Sequence, residues 1–535
     1  MVLTEVLVRK DSYHDSVLLM RLSRELETKA GVVEAVVAMA TPHNRDLLAA
    51  RGFARPTLAS AGPNDLVIAL RLDGTTVAEA ETVIDALLEG RPAAATAESQ
   101  PVSLGAALAL CPEINLVLIS LPGEHAGREA RRALAQDRHV MLFSDNVSVE
   151  EEVALKTLAH ERGLLMMGPD CGTAIINGKP LAFANVVRRG KIGIVGAAGT
   201  GIQEISSCIH RLGGGVSQAI GTGGRDLSAA VGALTTLTGI QALGADPDTA
   251  VLVVVSKPPA AKVAAKVVAA VRATGKPAVV HFVGAPPHTR QRSQNVVFAT
   301  SLAGAAKTAC RLSGLRRRGR TPGFGHVLAT RVARALGSEA RLVGLFCGGT
   351  TGAEALALLT GAGIAVHSNL HKDGPLAIGA GAHVDGHLLL DLGDDELTRG
   401  RPHPMIEPEL RNDRLVGDLE APRPTLLLFD LVLGYGAHPD PAGVLARGLA
   451  AARARNPALV AVASVTGTDE DPQSFTSQRR RLLEAGVLVM PDNRTAADFV
   501  AAVLCRTTAR RKASRPRKKA SPAPATRAAR QRGRR

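Results

Sequence analysis

Residues 191–228 read KIGIVGAAGTGIQEISSCIHRLGGGVSQAIGTGGRDLS. Two apolar runs, 191–195 and 216–220, read as strands. Each run ends in a loop dense in glycine. The first loop, Gly196-Ala-Ala-Gly-Thr-Gly201, opens a helical pattern. Strand, glycine loop, helix, strand is the βαβ unit of a parallel α/β sheet.

The same grammar extends in both directions. Upstream, 103–181 reads as βαβαβ, with Leu121-Pro-Gly123, Ser144-Asp-Asn146 and Gly168-Pro-Asp-Cys-Gly172 each joining a strand to the next element. These loops share one carboxyl edge, where open α/β sheets bind ligands. Downstream, the strand at 342–346 runs into Cys347-Gly-Gly-Thr-Thr-Gly352 and a helix, a parallel to 191–201 that suggests internal duplication. Another strand, 425–431, leads to Leu433-Gly-Tyr-Gly436. Before all of this, 1–95 alternates short strands and helices as a small ACT- or ferredoxin-like α+β module, closed by Gly90-Arg-Pro92 and an Ala, Glu, Ser linker. The fold class is therefore multi-domain α/β, with Rossmann-like and flavodoxin-like parallel sheets behind an α+β module.

Of the net charge of +15, thirteen positive charges belong to 506–535, which hold no Asp or Glu, so the preceding 505 residues carry about +2. The end of the chain reads as a disordered basic tail. Trp is absent and aromatics are few, which argues against base-stacking platforms and specific nucleic-acid binding. Six cysteines at 111, 171, 208, 310, 347 and 505 form no CxxC pair, which fits reduced thiols and gives no zinc framework. No run approaches the ~20 apolar residues of a membrane span, so the expectation is a cytoplasmic protein without membrane contact.

A Gly/Thr loop before a helix lets the backbone approach an anion and aims free N–H groups and the positive dipole end at it. Two such helices facing one point would hold a phosphate or an acyl phosphate, with Thr200 and Thr222 adding hydroxyls; the competing reading is a tight capped turn. Gly196, Gly199 and Gly201 give G-x-x-G-x-G rather than the dinucleotide fingerprint, and no G-K-[ST] is present after them, so neither NAD nor P-loop chemistry is supported.

The most chemically loaded stretch is Arg399-Gly-Arg-Pro-His-Pro-Met-Ile-Glu-Pro-Glu-Leu-Arg411. Here His403 is a candidate acid or base, Glu407 its orienting group, and Arg401 part of a carboxylate or phosphate clamp, against the reading of a salt-bridged loop. His367/His371 and His383/His387 have i, i+4 spacing but lie on broken patterns, so no metal site is assigned. Asp226, Asp391 and Asp430 end strands, where capping is favoured over meeting Mg2+ beside a phosphate. Cys171 lacks a nearby His partner for thiol chemistry.

Several of these peptides resemble the alpha subunit of succinyl-CoA synthetase and the wider ADP-forming acyl-CoA synthetases. Met167-Gly-Pro-Asp-Cys171 looks like the G-P-N-C loop, 191–200 like K-V-G-I-V-S-R-S-G-T, and Gly221-Thr-Gly-Gly-Arg-Asp226 like G-I-G-G-D-P. GPDCGTAIING, GAAGTGIQE, AIGTGGRDL and RGRPHPMIEPELR resemble the FdrA branch of that superfamily, and the likeness covers 1–505. It implies a Rossmann-like CoA-binding-type domain at 96–185 and an alpha-like ligase domain at 186–315. It also implies a beta-like ligase domain at 326–505, the two ligase domains being flavodoxin-like.

By this resemblance Pro122, Gly123, Ser144, Asp145, Asn146, Pro169, Asp170 and Cys171 contact CoA or substrate. Gly199, Thr200, Gly201, Gly221, Thr222, Gly223 and Gly224 hold phosphate, joined by Gly348, Gly349 and Thr350, or by the loop at 434–436, from the second side. The family's phosphohistidine loop is missing; His288 stands alone in the corresponding stretch, no acidic residue lies near Val255-Ser-Lys-Pro258, and the ATP-grasp domain has no room. FdrA-like proteins are associated with the oxamate carbamoyltransferase of allantoin breakdown. The resemblance thus implies an acyl or carbamoyl phosphate substrate, handled with hetero-oligomeric partner subunits. No cofactor is firmly implied, CoA and Mg2+ being the options. Alternatives are an ADP-forming CoA ligase subunit with an ATP-grasp partner, or a non-catalytic regulatory subunit.

Overall fold

In the computed structural model the described residues are 3–12, 14, 16–27, 29, 31–89, 101, 103–285, 295–315, 325–379, 381–398, 402–418 and 423–514. The linker read around 90–92, His288, Arg401, the basic stretch 316–324 and residues 515–535 lie outside them. The chain divides into two units, Met1–Pro112 and Glu113–Arg535.

The first unit runs β1 (Leu3–Arg9), α1 (Ser16–Glu27), β2 (Val32–Met39), α2 (Pro42–Leu48), a π-helical turn (Ala49–Phe53), α3 (Pro56–Ala59), β3 (Leu66–Leu72), α4 (Val77–Glu89) and α5 (Leu104–Leu110). Its antiparallel sheet has the order β1-β3-β2. The period of two along β3 divides its side chains. Ile68 and Leu70 pack with Leu19, Leu22, Leu26 and Ile84 of α1 and α4, while Val67 and Ala69 pack with Leu48, Phe53 and Leu58.

The second unit opens with a parallel sheet of three strands, β4 (Leu116–Ile119), β5 (His139–Leu142) and β6 (Met166–Met167), with α6 (Gly123–Ala135) and α7 (Val149–Glu161) between them. α7 starts cleanly. Ser148 Oγ accepts the Glu151 N–H at 3.1 Å, and Glu150, Glu151 and Glu152 face the positive dipole end.

A hairpin, β7 (Thr173–Ile176) and β8 (Lys179–Ala182), comes after β6. Next are β9 (Arg189–Ala197), α8 (Gly199–Arg211), β10 (Val216–Gly221), α9 (Leu234–Ala245), β11 (Val251–Ser256), α10 (Ala261–Ala273), β12 (Ala278–Phe282), β13 (Val296–Phe298) and α11 (Leu302–Leu312). These strands form one sheet in the order β13-β12-β11-β9-β10-β7-β8. The hairpin lies in the span read as part of the preceding sheet, yet it pairs antiparallel with β10, Ala219 opposite Ile175.

The remainder comprises α12 (His326–Leu336), β14 (Arg341–Phe346), α13 (Gly349–Gly361), β15 (His367–Ser368), β16 (Leu388–Asp391), α14 (Asp395–Thr398), α15 (Glu409–Asp418), β17 (Thr425–Val432), α16 (Pro441–Arg455), β18 (Leu459–Thr466), α17 (Phe475–Glu484), β19 (Leu488–Met490) and α18 (Asn493–Ser514). The sheet order is β15-β16-β14-β17-β18-β19, all parallel. α18 continues nine residues into the stretch read as an unstructured tail. Thr507 is 2% exposed there and Arg506 Nη1 donates to the Ala502 carbonyl at 2.7 Å.

Counted along the chain from β9, the first large sheet has the flavodoxin-like order 2-1-3-4-5; the second has the same order from β14 once the two-residue edge strand β15 is set aside. Each therefore has a switch point where connections leave the first strand in opposite directions. In the first sheet it lies beyond β9 and β11, in the second beyond β14 and β17. α8 lies where the two halves meet, which is why residues 200–209 are all buried. Its polar side chains bond across that meeting: Gln203 Nε2 to the Leu433 carbonyl at 3.3 Å, and the Thr466 hydroxyl to Glu204 Oε2 at 2.6 Å.

Candidate functional site

The two switch points face each other. The N–H of Thr350, in the first turn of α13, donates to Thr200 Oγ1, in the first turn of α8, at 3.2 Å. Neither helix is capped by its own side chain, the N-cap residues being Ala198 and Gly348. This leaves donors of two 13-residue helices at one place. The glycines make the approach possible. A Cβ on Gly348 would stand 2.8 Å from Thr200 Cγ2, and one on Gly201 would stand 3.0 Å from Thr350 Cγ2. Gly199, Thr200 and Gly201 thus come together with Gly348, Gly349 and Thr350. The helices also match one turn further in, where Glu204 and Glu354 are both buried and Asn493 donates to each, from its backbone N–H and its side chain respectively.

Lys257 and Asp391 border this junction. A Cβ on Gly349 would lie 2.5 Å from Asp391 Oδ2 and 3.1 Å from Lys257 Nζ. Burial pushes the Asp391 carboxyl up to about 6, against the pull of the Lys257 ammonium. Lys257 is exposed, so a cation stands at the solvent side of the paired helix ends. Sequence reasoning missed it. The signal was a lysine directly after the continuous apolar strand β11, on the edge that carries the switch point.

Asp430 is occupied with capping. It accepts the N–H groups of Cys347 and Gly348 at 2.8 and 2.9 Å and the Thr351 hydroxyl at 2.7 Å, and pairs with buried Arg411 at 3.2 Å. Asp226 is likewise bound by Lys156 and by the N–H groups of Thr235 and Thr236. With two of the three strand-end carboxylates committed to structure, the donor set does not fit Mg2+.

Of the loaded stretch 399–411, the described residues begin at 402. His403 lies beside this site, since a Cβ on Gly393 would be 2.5 Å from its Nε2. Its Nδ1 accepts the Met405 N–H at 3.2 Å, which puts the proton of the neutral ring on Nε2. Burial pushes its pKa down to about 4, so at neutral pH the ring is an uncharged hydrogen-bond donor rather than a general acid. The backbone N–H of Glu407 donates to the His403 carbonyl at 3.1 Å, and the ring packs on Phe183, centroids 5.7 Å apart.

The second glycine loop, Gly221 to Gly224, does not open a helix. It stays on the same sheet edge, Gly221 opposite Gly196, but two of its glycines are required by carbonyls: a Cβ would collide with Thr173 O at Gly221 and with Pro169 O at Gly223. Thr222 is fully buried, its hydroxyl accepting from Thr236 at 3.3 Å. Gly221, Thr222 and Gly223 are thus taken up by backbone packing, while Gly224 is exposed beside the Asp170 carboxylate. Gly434 and Gly436 pack against Ala184 and Phe183 instead of joining the paired helices.

The three loops read as CoA- or substrate-binding do share one edge. Gly123 has no room for a Cβ against the carbonyls of Asp145 and Asn146, Ser144 Oγ accepts the Leu121 N–H at 3.0 Å, and the Asp170 N–H donates to the Ser144 carbonyl at 3.0 Å. Pro122, Asp145, Asn146 and Asp170 are exposed along it. Thr173 links this edge to α8, lying 3.2 Å from a Cβ on Gly199.

Burial pushes the Cys171 and Cys347 thiols up to about 12, so neither is a nucleophile. Of the six thiols only Cys111 and Cys505 are exposed. Titration of the native protein with a disulfide reagent at pH 8 is expected to modify two thiols rapidly and the other four only on unfolding; fast modification of Cys171 would contradict this packing.

Comparisons with known proteins give family models, solved structures and a relative. The family model described as CoA-ligase matches residues 345–503, the CoA binding domain residues 187–284, and "AllF, heavy metal-associated domain" residues 1–102. The last name implies a metal, but residues 1–102 contain no cysteine, and among the described residues no three His, Cys, Asp or Glu gather as a metal site. Among the described residues no helix is long and apolar enough to cross a membrane. Of the solved structures, dinucleotide-forming acetyl-coenzyme A synthetase 1 of Ca. Korarchaeum cryptofilum, in complex with phosphate and ADP, is 14% identical with a TM-score of 0.28 over 75% of this chain and 85% of that one. ATP citrate lyase from Methanothrix soehngenii, in complex with citrate and coenzyme A, is 15% identical with a TM-score of 0.30 over 43% and 45%. The uncharacterized protein YahF of Escherichia coli (strain K12) is 43% identical over 500 residues, 91% of this chain and 95% of its own. The chain belongs to the family of YahF, within the acyl-CoA synthetase superfamily.

Proposed function

We propose that the protein holds an acyl or carbamoyl phosphate at the paired N-termini of α8 and α13, as a subunit of a carbamoyltransferase of the oxamate type, the activity associated with the FdrA branch. The observation that carries this reading is the Thr350 N–H on Thr200 Oγ1 at 3.2 Å, with the Lys257 ammonium at the same opening. In carbamoyl transfer the bond from the carbonyl carbon to the phosphate oxygen breaks and a bond to an amide nitrogen forms. The phosphate leaves with the electron pair, and the proton of the nitrogen is released. Charge grows on the leaving phosphate, where the helix N–H donors and Lys257 meet it without reorganisation. The His403 Nε2–H supplies a neutral donor beside them. The match of the N-terminal module to AllF supports this reading over a generic synthetase.

A second reading, ADP-forming CoA ligation with an ATP-grasp partner, is favoured by the CoA-binding and CoA-ligase matches. CoA would then lie along Pro122, Asp145, Asn146 and Asp170. Calorimetric titration of the full chain with carbamoyl phosphate, and separately with CoA, tests the pair. Carbamoyl phosphate is expected to bind, and Thr200→Val and Lys257→Met each to weaken it about tenfold, the scale of one charge-assisted hydrogen bond. Binding of CoA alone would transfer support to the ligase reading. Binding of neither would leave a regulatory subunit.

A further inference from the structure

Asp391 ends β16 beside the paired helix ends, and its position there is closely held. The Asp391 N–H donates to Asn369 Oδ1, and the Asn369 amide donates to the Asp391 carbonyl, both at 2.9 Å. Asp391 Oδ1 accepts the Gly393 N–H at 3.0 Å. Oδ2 is aimed at the start of α13, since a Cβ on Gly349 would stand 2.5 Å from it. The residue is 5% exposed, and among the described residues no hydrogen bond reaches Oδ2.

A carboxylate in this place works against a site that holds phosphate alone. Burial pushes its pKa up to about 6, so at pH 8 it is still ionised, and one negative charge beside another weakens the binding of the second. The turn at Gly393 uses only Oδ1. The Lys257 ammonium offsets the charge, but it leaves the oxygen that faces α13 without a hydrogen-bond donor.

A ligand can supply that donor. The phosphoryl oxygens of an acyl phosphate carry no proton at pH 8, so the donor has to come from the group joined to the phosphate. In carbamoyl phosphate that group ends in an NH2; in acetyl phosphate, which has the same shape, it ends in a methyl. The carbonyl oxygen common to both has its own partner close by, because His403 Nε2–H would lie 2.5 Å from a Cβ on Gly393. An acceptor and a neutral donor flanking Gly393 are the complement of a primary amide.

We propose that Asp391 Oδ2 accepts a hydrogen bond from the carbamoyl NH2, so that the paired helix ends take carbamoyl phosphate and turn away the phosphates of ordinary carboxylic acids. This choice presupposes the phosphate site proposed above and narrows its substrate. Calorimetric titration of the full chain at pH 8, in the cold with freshly dissolved ligands, compares carbamoyl phosphate, acetyl phosphate and inorganic phosphate. Carbamoyl phosphate is expected to bind at least tenfold more tightly than acetyl phosphate, the scale of a charge-assisted hydrogen bond that one ligand makes and the other leaves unmade.

Asp391→Asn should bring that ratio close to one. The Gly393 N–H claims the asparagine oxygen, which turns its NH2 toward the ligand, where it opposes another NH2 and suits a phosphate oxygen. Inorganic phosphate should therefore bind the variant at least as tightly as wild type, a result that general loss of structure would not give. If the variant unfolds, the comparison of carbamoyl with acetyl phosphate on the wild type still decides. Equal binding of those two ligands, or an unchanged ratio in the folded variant, would overturn the role of Asp391 and leave the phosphate site standing. Binding of none of the three would overturn both.

Discussion

Lys156→Met is expected to destabilise the larger unit by about 3–5 kcal/mol, the range found when one partner of a buried ionic group is removed. Lys156, Glu152 and Asp226 have no exposed side-chain surface. The ammonium lies 2.8 Å from Glu152, 2.7 Å from Asp226 and 2.9 Å from the Thr222 carbonyl. Methionine fills nearly the same space, so packing changes little; two buried carboxylates are left without their shared cation. Arg225 still reaches Glu152 at 3.0 Å, while Asp226 keeps only neutral donors, the Thr235 and Thr236 N–H groups and the Thr236 hydroxyl. The loss should concentrate where Asp226 ties α7 to the start of α9. Asp226→Asn, which retains size and some hydrogen bonding, should cost less. Urea unfolding monitored by far-UV circular dichroism compares the variants, and a Lys156→Met midpoint equal to wild type would show that this cluster does not hold the loops behind the site.

Local features of the fold were legible in the sequence, and non-local ones were not. The strand, glycine loop and helix at 191–211 and again at 341–361 are set by neighbouring residues, and both formed where expected. Strand order is not local. Nothing between 173 and 182 says that the hairpin leaves the sheet before it to pair with β10, because an antiparallel edge strand can serve either sheet. The loop at 221–224 misled for a related reason. Glycine after a strand looks the same whether it admits an anion or a carbonyl, and here Thr173 and Pro169 supply the carbonyls from far along the chain. The stretch 506–514 looked unstructured from its charge, yet Ala, Arg and Lys are good helix formers and extend a helix already nucleated by the buried part of α18. Lys257 had a readable position but acquires meaning only when Gly349, from the far half of the chain, is brought against it.

Gly349→Ala is expected to separate folding from function, and this makes it the sharpest test of whether the paired helices are a working site. In the first turn of α13, alanine is a better helix former than glycine by up to about 1 kcal/mol, so the helix itself should be undisturbed. The new methyl would stand 2.5 Å from Asp391 Oδ2 and 3.1 Å from Lys257 Nζ. Something must shift, and side chains yield more readily than the backbone of β14 and α13. Asp391, buried and hydrogen-bonded to the Gly393 N–H at 3.0 Å, would be turned from its place, and Lys257 displaced from the helix ends. Misplacing such groups by about 1 Å costs on the order of a hundredfold in reactions that depend on positioning. Carbamoyl phosphate affinity is therefore expected to fall ten- to a hundredfold while the stability from urea unfolding stays within about 1 kcal/mol of wild type. Retained affinity in the folded variant would mean that the helix ends meet for structural reasons alone, and the regulatory-subunit reading would take precedence.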